Sequence, residues 1–183
     1  GHPVSIGAEE SGTERNATQI LEFAGMPSSL VATKNLDYIE ATKELKAGDI
    51  DAFFCTAGLT TTVIDELSKE CDIRLIPLTD TVISKMLESS LAYTSEVIPT
   101  GTYTGQTTDI STIGVKSVLI TKADVSDDTI EQLTSLLFEK ENEISYSNSL
   151  KLELTYDFAT DDIPIPFHDG AKRYYKACGY STN

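Results

Sequence analysis

The fold is decided in residues 4–25, which read VSIGAEESGTERNATQILEFAG. The apolar opening, Val4–Ala8, predicts a strand. The serine and the glutamate of Ser11-Gly12-Thr13-Glu14 predict a capping box at the start of a helix. Apolar residues then recur at helical spacing until a glycine supplies the stop: Ala17, Ile20, Leu21, Ala24 and Gly25. A strand that turns directly into a helix is the first half of a βαβ unit.

The same alternation continues through the first half of the chain. We expect further strands near residues 30–33, 50–56 and 73–78, and helices near 37–47, 60–70 and 82–89. Ala52-Phe53-Phe54-Cys55 is a continuous apolar run, which is typical of a parallel strand buried on both faces. The pattern predicts an α/β fold in which helices cover both faces of a parallel sheet.

The second half has a different character. Residues 98–111 are rich in threonine and glycine and predict a loop. A β-branched run predicts a strand at 113–121, and Ser126 opens a helix that we expect to reach about residue 143, before a polar connection at 145–149. Ile163-Pro164-Ile165-Pro166 must be extended, because each proline disfavours helix at the residue before it. A short helix is expected at 170–176.

Composition excludes several classes of function. The 183 residues are 40% hydrophobic, which is enough for a core, and 14 basic against 29 acidic residues give a net charge of −15. Clustered Lys and Arg supply most affinity for nucleic acids and anionic membranes, so neither is an expected partner.

No run approaches the roughly 18 apolar residues of a spanning helix. Cys55, Cys71 and Cys178 have no metal-ligand spacing, so we expect neither a metal nor a cofactor.

Two loops are candidate binding sites because both follow predicted strands. Ser11-Gly12-Thr13 stands at a helix start, where free N–H groups and the helix dipole favour an anion. Thr56-Ala57-Gly58-Leu59-Thr60 follows the buried strand, and ligands of open α/β sheets bind beyond the carboxyl ends of strands. The plainer alternatives are that Ser11 only caps its helix and that the second loop is an ordinary turn.

A third candidate is Gly101-Thr102-Tyr103-Thr104-Gly105-Gln106, in which Tyr103 offers a hydroxyl and a ring face; a flexible surface loop is its alternative. Enzyme signatures are weak. The sequence has two histidines, His2 and His168, and neither lies in these loops. GxSxG, P-loop and HExxH motifs are absent, so we do not expect an enzyme. The residues alone predict an α/β ligand-binding lobe for a small, anionic solute.

Taken in order, the motifs resemble a known family, the TRAP-associated extracytoplasmic immunogenic (TAXI) solute receptors. These are the substrate-binding components of sodium-driven TRAP transporters. The resemblance covers essentially the whole chain, and it lies in the order and spacing of the motifs rather than in any one of them. The matching motifs are Val4-Ser5-Ile6-Gly7, Ser11-Gly12-Thr13-Glu14, Asn16, Gln19-Ile20-Leu21, Ile50-Asp51-Ala52-Phe53-Phe54, Ala57-Gly58, Ile73-Arg74-Leu75-Ile76-Pro77-Leu78, Ile98-Pro99, Gly101-Thr102-Tyr103, Gly105-Gln106, Pro164-Ile165-Pro166, His168, Gly170-Ala171 and Tyr174-Tyr175.

The resemblance implies a periplasmic-binding-protein fold of the second type, with two lobes and the solute between them. Residues 1–112 would be the second ligand-binding lobe, and 113–183 a return segment leading to a first lobe that this sequence lacks. The implied setting is extracytoplasmic, and the implied partners are the TRAP membrane subunits and the missing N-terminal lobe. Without that lobe we expect weak binding, and a dimer that covers the exposed apolar face of the return segment.

The resemblance also implies the ligand. Ser11, Gly12 and Thr13 would hold a carboxylate, Ala57, Gly58 and Thr60 would form a second wall, and Tyr103 would close over the solute. Thr56 is a further expected ligand-binding residue. Glutamate, glutamine and 2-oxo-dicarboxylates are the implied group. Thr60–Thr62 and Thr104 stand where many relatives carry proline, which bears on the solute more than on the fold. Two alternatives stay open: a ligand-sensing domain of a signalling receptor, and an enzyme on the same scaffold.

Overall fold

A parallel three-stranded sheet organises the first of the two units into which the chain divides, Gly1–Gly114 and Val115–Asn183. The computed structural model describes residues 2–27, 29–139 and 154–182. The central strand, β1 (Pro3–Ser5), pairs in parallel with β2 (Ala32–Lys34) on one side and with β3 (Ala52–Phe53) on the other. The strands predicted at 4–8 and 50–56 are longer than the paired segments that the structure shows.

Two helices cover opposite faces of this sheet. α1 (Gly12–Phe23) connects β1 to β2, and α2 (Tyr38–Ala47) connects β2 back across β1 to β3. Since parallel crossovers are right-handed and these two run in opposite directions along the sheet, α1 and α2 lie on different faces. The predicted parallel sheet flanked by helices is confirmed.

The ends of α2 show why its bounds were predictable. Asp37 and Glu40 form a complete capping box: the Asp37 side chain accepts the Glu40 N–H at 2.8 Å, and Glu40 accepts the Asp37 N–H at 3.4 Å. Gly48 ends the helix in the left-handed region with φ +80°. The Asp37 and Glu40 side chains therefore pair backbone groups at the start of the helix, and the Gly48 N–H donates to the Glu44 and Leu45 carbonyls at its end.

Apolar faces of the helices form two clusters against the sheet. Ile6, Ala17 and Leu21 make one of them. The other includes Ile20 of α1 and Met86, which is fully buried. The remaining helices of this unit are α3 (Thr62–Glu70) and α4 (Asp80–Ser89), close to their predicted ranges.

The strand predicted at 73–78 is wrong, and the strand predicted at 113–121 is correct only over residues 113–115. Residues 73–78 are irregular: Pro77 has no N–H to donate, and within the described residues the Leu78 N–H alone joins a neighbouring strand, at the Ser111 carbonyl (2.9 Å). A two-stranded sheet forms instead from β4 (Tyr93–Ile98), which was not predicted, and β5 (Ile110–Val115). β5 starts inside the predicted loop and ends well before residue 121.

The second unit is built on two helices, α5 (Asp127–Glu139) and α7 (Asp169–Ala177), with the short α6 (Tyr156–Thr160) between them. Gly170 lets α7 approach α5 so closely that a Cβ there would collide with the Asp127 carbonyl. The predicted end of α5 at 143 and the connection at 145–149 lie outside the described residues. The roles assigned to 1–112 and 113–183 stay predictions. Over the described ranges, no helix has the length and apolar character needed to cross a membrane.

Candidate functional site

The carboxyl ends of the three parallel strands bring together the segments that follow them. These are residues 6–11 after β1, 35–37 after β2 and 54–61 after β3. In the strand order β2-β1-β3 the crossover from β1 to β2 runs in one direction along the sheet and the crossover from β2 to β3 runs in the other, so the strand order reverses between β1 and β3. Ligands of open α/β sheets bind at such a point. Two of the three sequence-predicted loops therefore flank the position that the topology favours.

The start of α1 carries two unengaged backbone donors. The Ser11 hydroxyl accepts the Glu14 N–H at 3.1 Å, and the Ser11 N–H donates to the Ala8 carbonyl at 3.1 Å. The N–H groups of Gly12 and Thr13, in the first turn, have no acceptor among the described residues. The helix dipole places partial positive charge at this spot. Ser11 thus caps the helix, as its plainer interpretation holds, and the two N–H groups that follow it stay unpaired within the described residues.

The second half of the predicted capping box at α1 is wrong. Glu14 does not reach back to the Ser11 N–H; its carboxylate accepts the Glu10 N–H at 2.6 Å and the Asn35 side-chain amide at 2.7 Å. Asn35 also donates to the Gly7 carbonyl at 3.1 Å. Glu10 has φ +60°, a conformation rare for residues with a side chain. The β1–α1 segment is therefore fixed by side chains from within itself and from the β2–α2 segment.

Gly7 makes the tight approach between β1 and the start of α1 possible. Its φ is +100°, and a Cβ at this position would lie 2.7 Å from the Thr13 Cβ and 3.0 Å from the Ser11 hydroxyl oxygen. Thr13 is itself buried, with 7% of its surface exposed. Its hydroxyl is therefore not an open ligand contact, whereas its N–H faces the end of the helix.

Tyr38, the first residue of α2, joins the two predicted loops and was not identified from the sequence. The Thr56 N–H donates to its hydroxyl at 3.0 Å, and the hydroxyl donates to the Thr56 carbonyl at 2.9 Å. The same oxygen lies 2.8 Å from the Thr13 hydroxyl, which must then be the donor, since a phenol has one proton. The available signal was the Asp37-x-x-Glu40 capping box, which places residue 38 in the first helical turn after β2.

Tyr103 fixes the other end of the β3–α3 loop. It is buried, with 6% exposed, and its hydroxyl donates to the Leu59 carbonyl at 2.7 Å and accepts the Thr61 N–H at 3.2 Å. Burial raises the pKa of this hydroxyl. The Gln106 side chain holds the turn that carries Tyr103, donating to the carbonyls of Ile98, Pro99 and Thr108. In this structure the Tyr103 hydroxyl is engaged within the protein, and its predicted contact with a solute stays a prediction.

The loop between the two tyrosines is the exposed part of the site. Thr56, Ala57, Gly58 and Thr60 are all exposed, and the Thr56 hydroxyl accepts weakly from the Asn16 amide at 3.4 Å. Thr56 and Thr13 are brought together through Tyr38, whereas Tyr103 meets only the far end of this loop. The exposed side of α1 carries a separate shallow depression, and Ser11 is the single predicted site residue among those that line it: Glu10, Ser11, Glu14, Arg15, Thr18, Gln19 and Glu22.

Among the described residues, this edge of the sheet carries no activated cysteine and no cluster of metal ligands. Burial raises the pKa of the Cys55 thiol, against a smaller opposite effect of the Tyr38 hydroxyl, so the thiol stays protonated at neutral pH. In the described parts of the chain, no three His, Cys, Asp or Glu side chains are grouped so as to hold a metal ion. His168 is remote in sequence and caps α7, accepting the Gly170 N–H at 3.1 Å.

Comparison with known families agrees with this geometry. The model of the NMT1-like family matches residues 1–179 of the 183. That family is periplasmic-binding-protein-like, and its solute-binding proteins are typically extracytoplasmic. The α/β architecture and the loops at the strand ends are those that such a fold uses to hold a small molecule. The chain therefore belongs to the NMT1-like family of solute-binding proteins.

Proposed function

We propose that the chain binds a small carboxylate-bearing solute as part of an extracytoplasmic TAXI-type receptor of a TRAP transporter. The observation that carries the proposal is the pair of free N–H groups at Gly12 and Thr13, which stand at the β1/β3 switch point opposite an exposed loop. Two backbone donors and a helix dipole match a carboxylate in charge and in hydrogen-bonding capacity.

The order of the motifs supports the transporter assignment. A second lobe would cover the face of the solute that this site leaves open, and the closed state would be the one that the membrane subunits recognise. Glutamate, glutamine and 2-oxo-dicarboxylates are the solutes we propose. The net charge of −15 does not oppose them, because local dipoles rather than total charge set the field at a helix end.

We also propose that the chain is a receptor and not an enzyme. The Cys55 thiol is protonated, and the Glu14 carboxylate is occupied by two donors from the protein. A general acid or base needs a free titratable group within hydrogen-bonding reach of the substrate. Cys55 and Glu14 therefore supply neither a thiolate nor an unpaired carboxylate at this edge of the sheet.

The experiment is a thermal-shift screen of amino acids, dicarboxylates and 2-oxo acids, followed by two substitutions at one position. Gly12→Pro deletes a backbone donor but suits the helix: proline is favoured in the first turn, Ser11 before it is extended (ψ 159°), and no atom lies within 4 Å of a Cβ there. Gly12→Ala is the matched control, because it adds a Cβ and keeps the N–H.

We expect a solute that raises the melting temperature in a saturable manner. Gly12→Pro should weaken its binding by about 10- to 150-fold, the value of a hydrogen bond to a charged group, whereas Gly12→Ala should change it by less than about threefold. Equal losses in the two variants would mean that the N–H is not the ligand contact. If no acid shifts the wild-type protein even at concentrations that would reveal the weak binding expected without the first lobe, the proposed solute class is wrong and a signalling-receptor ligand becomes the next hypothesis.

A further inference from the structure

We propose that Tyr38 and Tyr103 are positioning residues that hold the β3–α3 loop, residues 54–61, in the conformation that receives the solute. The inference rests on the proposed function in one respect, since it takes this loop as the second wall of the site. Neither hydroxyl needs to touch the solute. Each acts through the backbone of the loop.

The Tyr38 hydroxyl bonds the backbone of the β3–α3 loop just after the last hydrogen bond of the sheet. The last sheet-type bond of this segment joins the Phe54 N–H to the Ser5 carbonyl at 2.9 Å. Two residues later both backbone groups of Thr56 turn to the Tyr38 hydroxyl, at 3.0 and 2.9 Å. A single phenol oxygen thus substitutes for the neighbouring strand and fixes the point at which the loop leaves the sheet.

Tyr103 performs the same task at the end of the loop. Thr61 precedes α3, and its side chain makes no capping hydrogen bond. Its N–H donates instead to the Tyr103 hydroxyl at 3.2 Å, and that hydroxyl donates to the Leu59 carbonyl at 2.7 Å. Because the ring is buried, the phenol cannot swing away without opening the core around it.

Between the two tyrosines the loop has no backbone support of its own. Within the described part of the chain, no backbone hydrogen bond engages the N–H groups of Ala57, Gly58, Leu59 or Thr60, and these residues are exposed. Without the phenols the loop would have to be ordered at the moment of binding, which lowers affinity although no contact is lost. With them, the loop that carries these four amides is held at both ends before a solute arrives.

The two tyrosines differ in the number of segments that each hydroxyl connects. Tyr38 also accepts the Thr13 hydroxyl at 2.8 Å and so fixes the α1 terminus relative to the loop, whereas Tyr103 holds the loop alone. Each Tyr→Phe change removes hydrogen bonds of ordinary strength, which corresponds to about three- to tenfold in an equilibrium constant. We therefore expect both variants to weaken solute binding by about that factor, with the larger effect for Tyr38→Phe.

The test compares Tyr38→Phe, Tyr103→Phe and a control, Tyr174→Phe, in the full chain. Tyr174 also has a hydrogen-bonded hydroxyl, 3.2 Å from that of Tyr156, but it belongs to the second unit. The first readout needs no ligand: amide hydrogen exchange at Thr56 and Thr61 in the free protein. Exchange should become about three- to tenfold faster at Thr56 in the first variant and at Thr61 in the second, with the α4 amides and the α1 amides beyond its first turn unchanged. The second readout is affinity for L-glutamate.

Local loss of protection together with weaker L-glutamate binding supports the proposal, provided that Tyr174→Phe shows neither. Unchanged exchange at both amides overturns it, and so does faster exchange throughout the first unit, which would mean that the phenols only stabilise the fold. Faster local exchange with unaltered affinity also overturns it. Failure of the wild-type protein to bind L-glutamate counts against the proposed function alone, because the exchange data decide on the loop without a ligand.

Discussion

Gly7→Ala is expected to destabilise the first unit more than any ordinary glycine substitution in a turn. At φ +100° an L-residue costs about 1–2 kcal/mol in backbone strain. The added methyl group would also lie 2.7 and 2.8 Å from two carbons of Thr13, and overpacking of this kind costs about 1–3 kcal/mol. A movement of Thr13 away from the added methyl group would also disturb its 2.8 Å hydrogen bond to Tyr38. The free energy of unfolding should fall by about 2–5 kcal/mol in total.

Gly25→Ala is the control that separates the two contributions. Gly25 has φ +74°, but no atom lies within 4 Å of a Cβ built there, so this variant should lose only the strain energy of about 1–2 kcal/mol. The assay is urea unfolding followed by circular dichroism, with both variants compared at equal m-value. If the two losses agree within about 0.5 kcal/mol, the close packing of Gly7 against Thr13 has no energetic weight and the reasoning fails.

Three further predictions concern other parts of the chain. Asp37→Ala should cost about 1 kcal/mol by removing the α2 capping box, whereas Thr61→Ala, which loses no capping hydrogen bond, should cost less than about 0.5 kcal/mol in the same urea assay. Gly170→Ala should cost about 1–3 kcal/mol by forcing α7 from the Asp127 carbonyl, and a gain in thermal stability would contradict that packing. Burial raises the pKa of Tyr103 above its ordinary value of about 10, so its contribution to stability is complete below about pH 10 and is lost as the pH rises through the folded-state pKa. The melting temperature of Tyr103→Phe should therefore fall less steeply across this pH range than that of the wild-type protein. Identical pH profiles in the two proteins would refute this role of the Tyr103 hydroxyl.

The described helices other than α6, for which no helix was predicted, were predictable from the sequence to within a few residues because their signals are local. The start of α2 is set by the Asp37 capping box and its end by Gly48, and both act on backbone groups within one turn. Hydrophobic spacing supplied the buried face of α1 in the same way. Such signals do not depend on which partner the helix later packs against.

Strands were harder because a strand needs a partner that the sequence does not name. Val118, Leu119 and Ile120 form the most β-prone run in the chain, yet 45%, 68% and 72% of their surfaces are exposed and β5 ends before them. β-propensity describes how well a side chain fits a half-buried pleated surface. A run with high β-propensity therefore forms no ladder unless another strand is available to pair with it. The run at 73–78 failed for a related reason, since Pro77 cannot donate to a ladder.

The features of the candidate site also differ in whether local sequence signals could predict them. Its two main loops followed from the alternation of strands and helices, because parallel strands must place the segments after them at one edge. Tyr38 did not follow, since its hydroxyl bonds join residues 25 and 18 positions away in sequence. Tyr103 was noticed for its ring and hydroxyl, but whether a phenol faces a solute or the protein depends on packing that a local motif does not contain.

A site made largely of main-chain donors explains why no single motif here is specific. The carboxylate we propose would be held by N–H groups, and every residue except proline supplies one. The sequence must then specify only what shapes the backbone: the close approach at Gly7, the open first turn at Gly12, and the phenols of Tyr38 and Tyr103 that hold the facing loop. Substitutions that preserve backbone shape should therefore be tolerated at positions that face the solute, whereas changes at these supporting positions should not. Selectivity in such a site lies in the geometry of its supports more than in the side chains that line it.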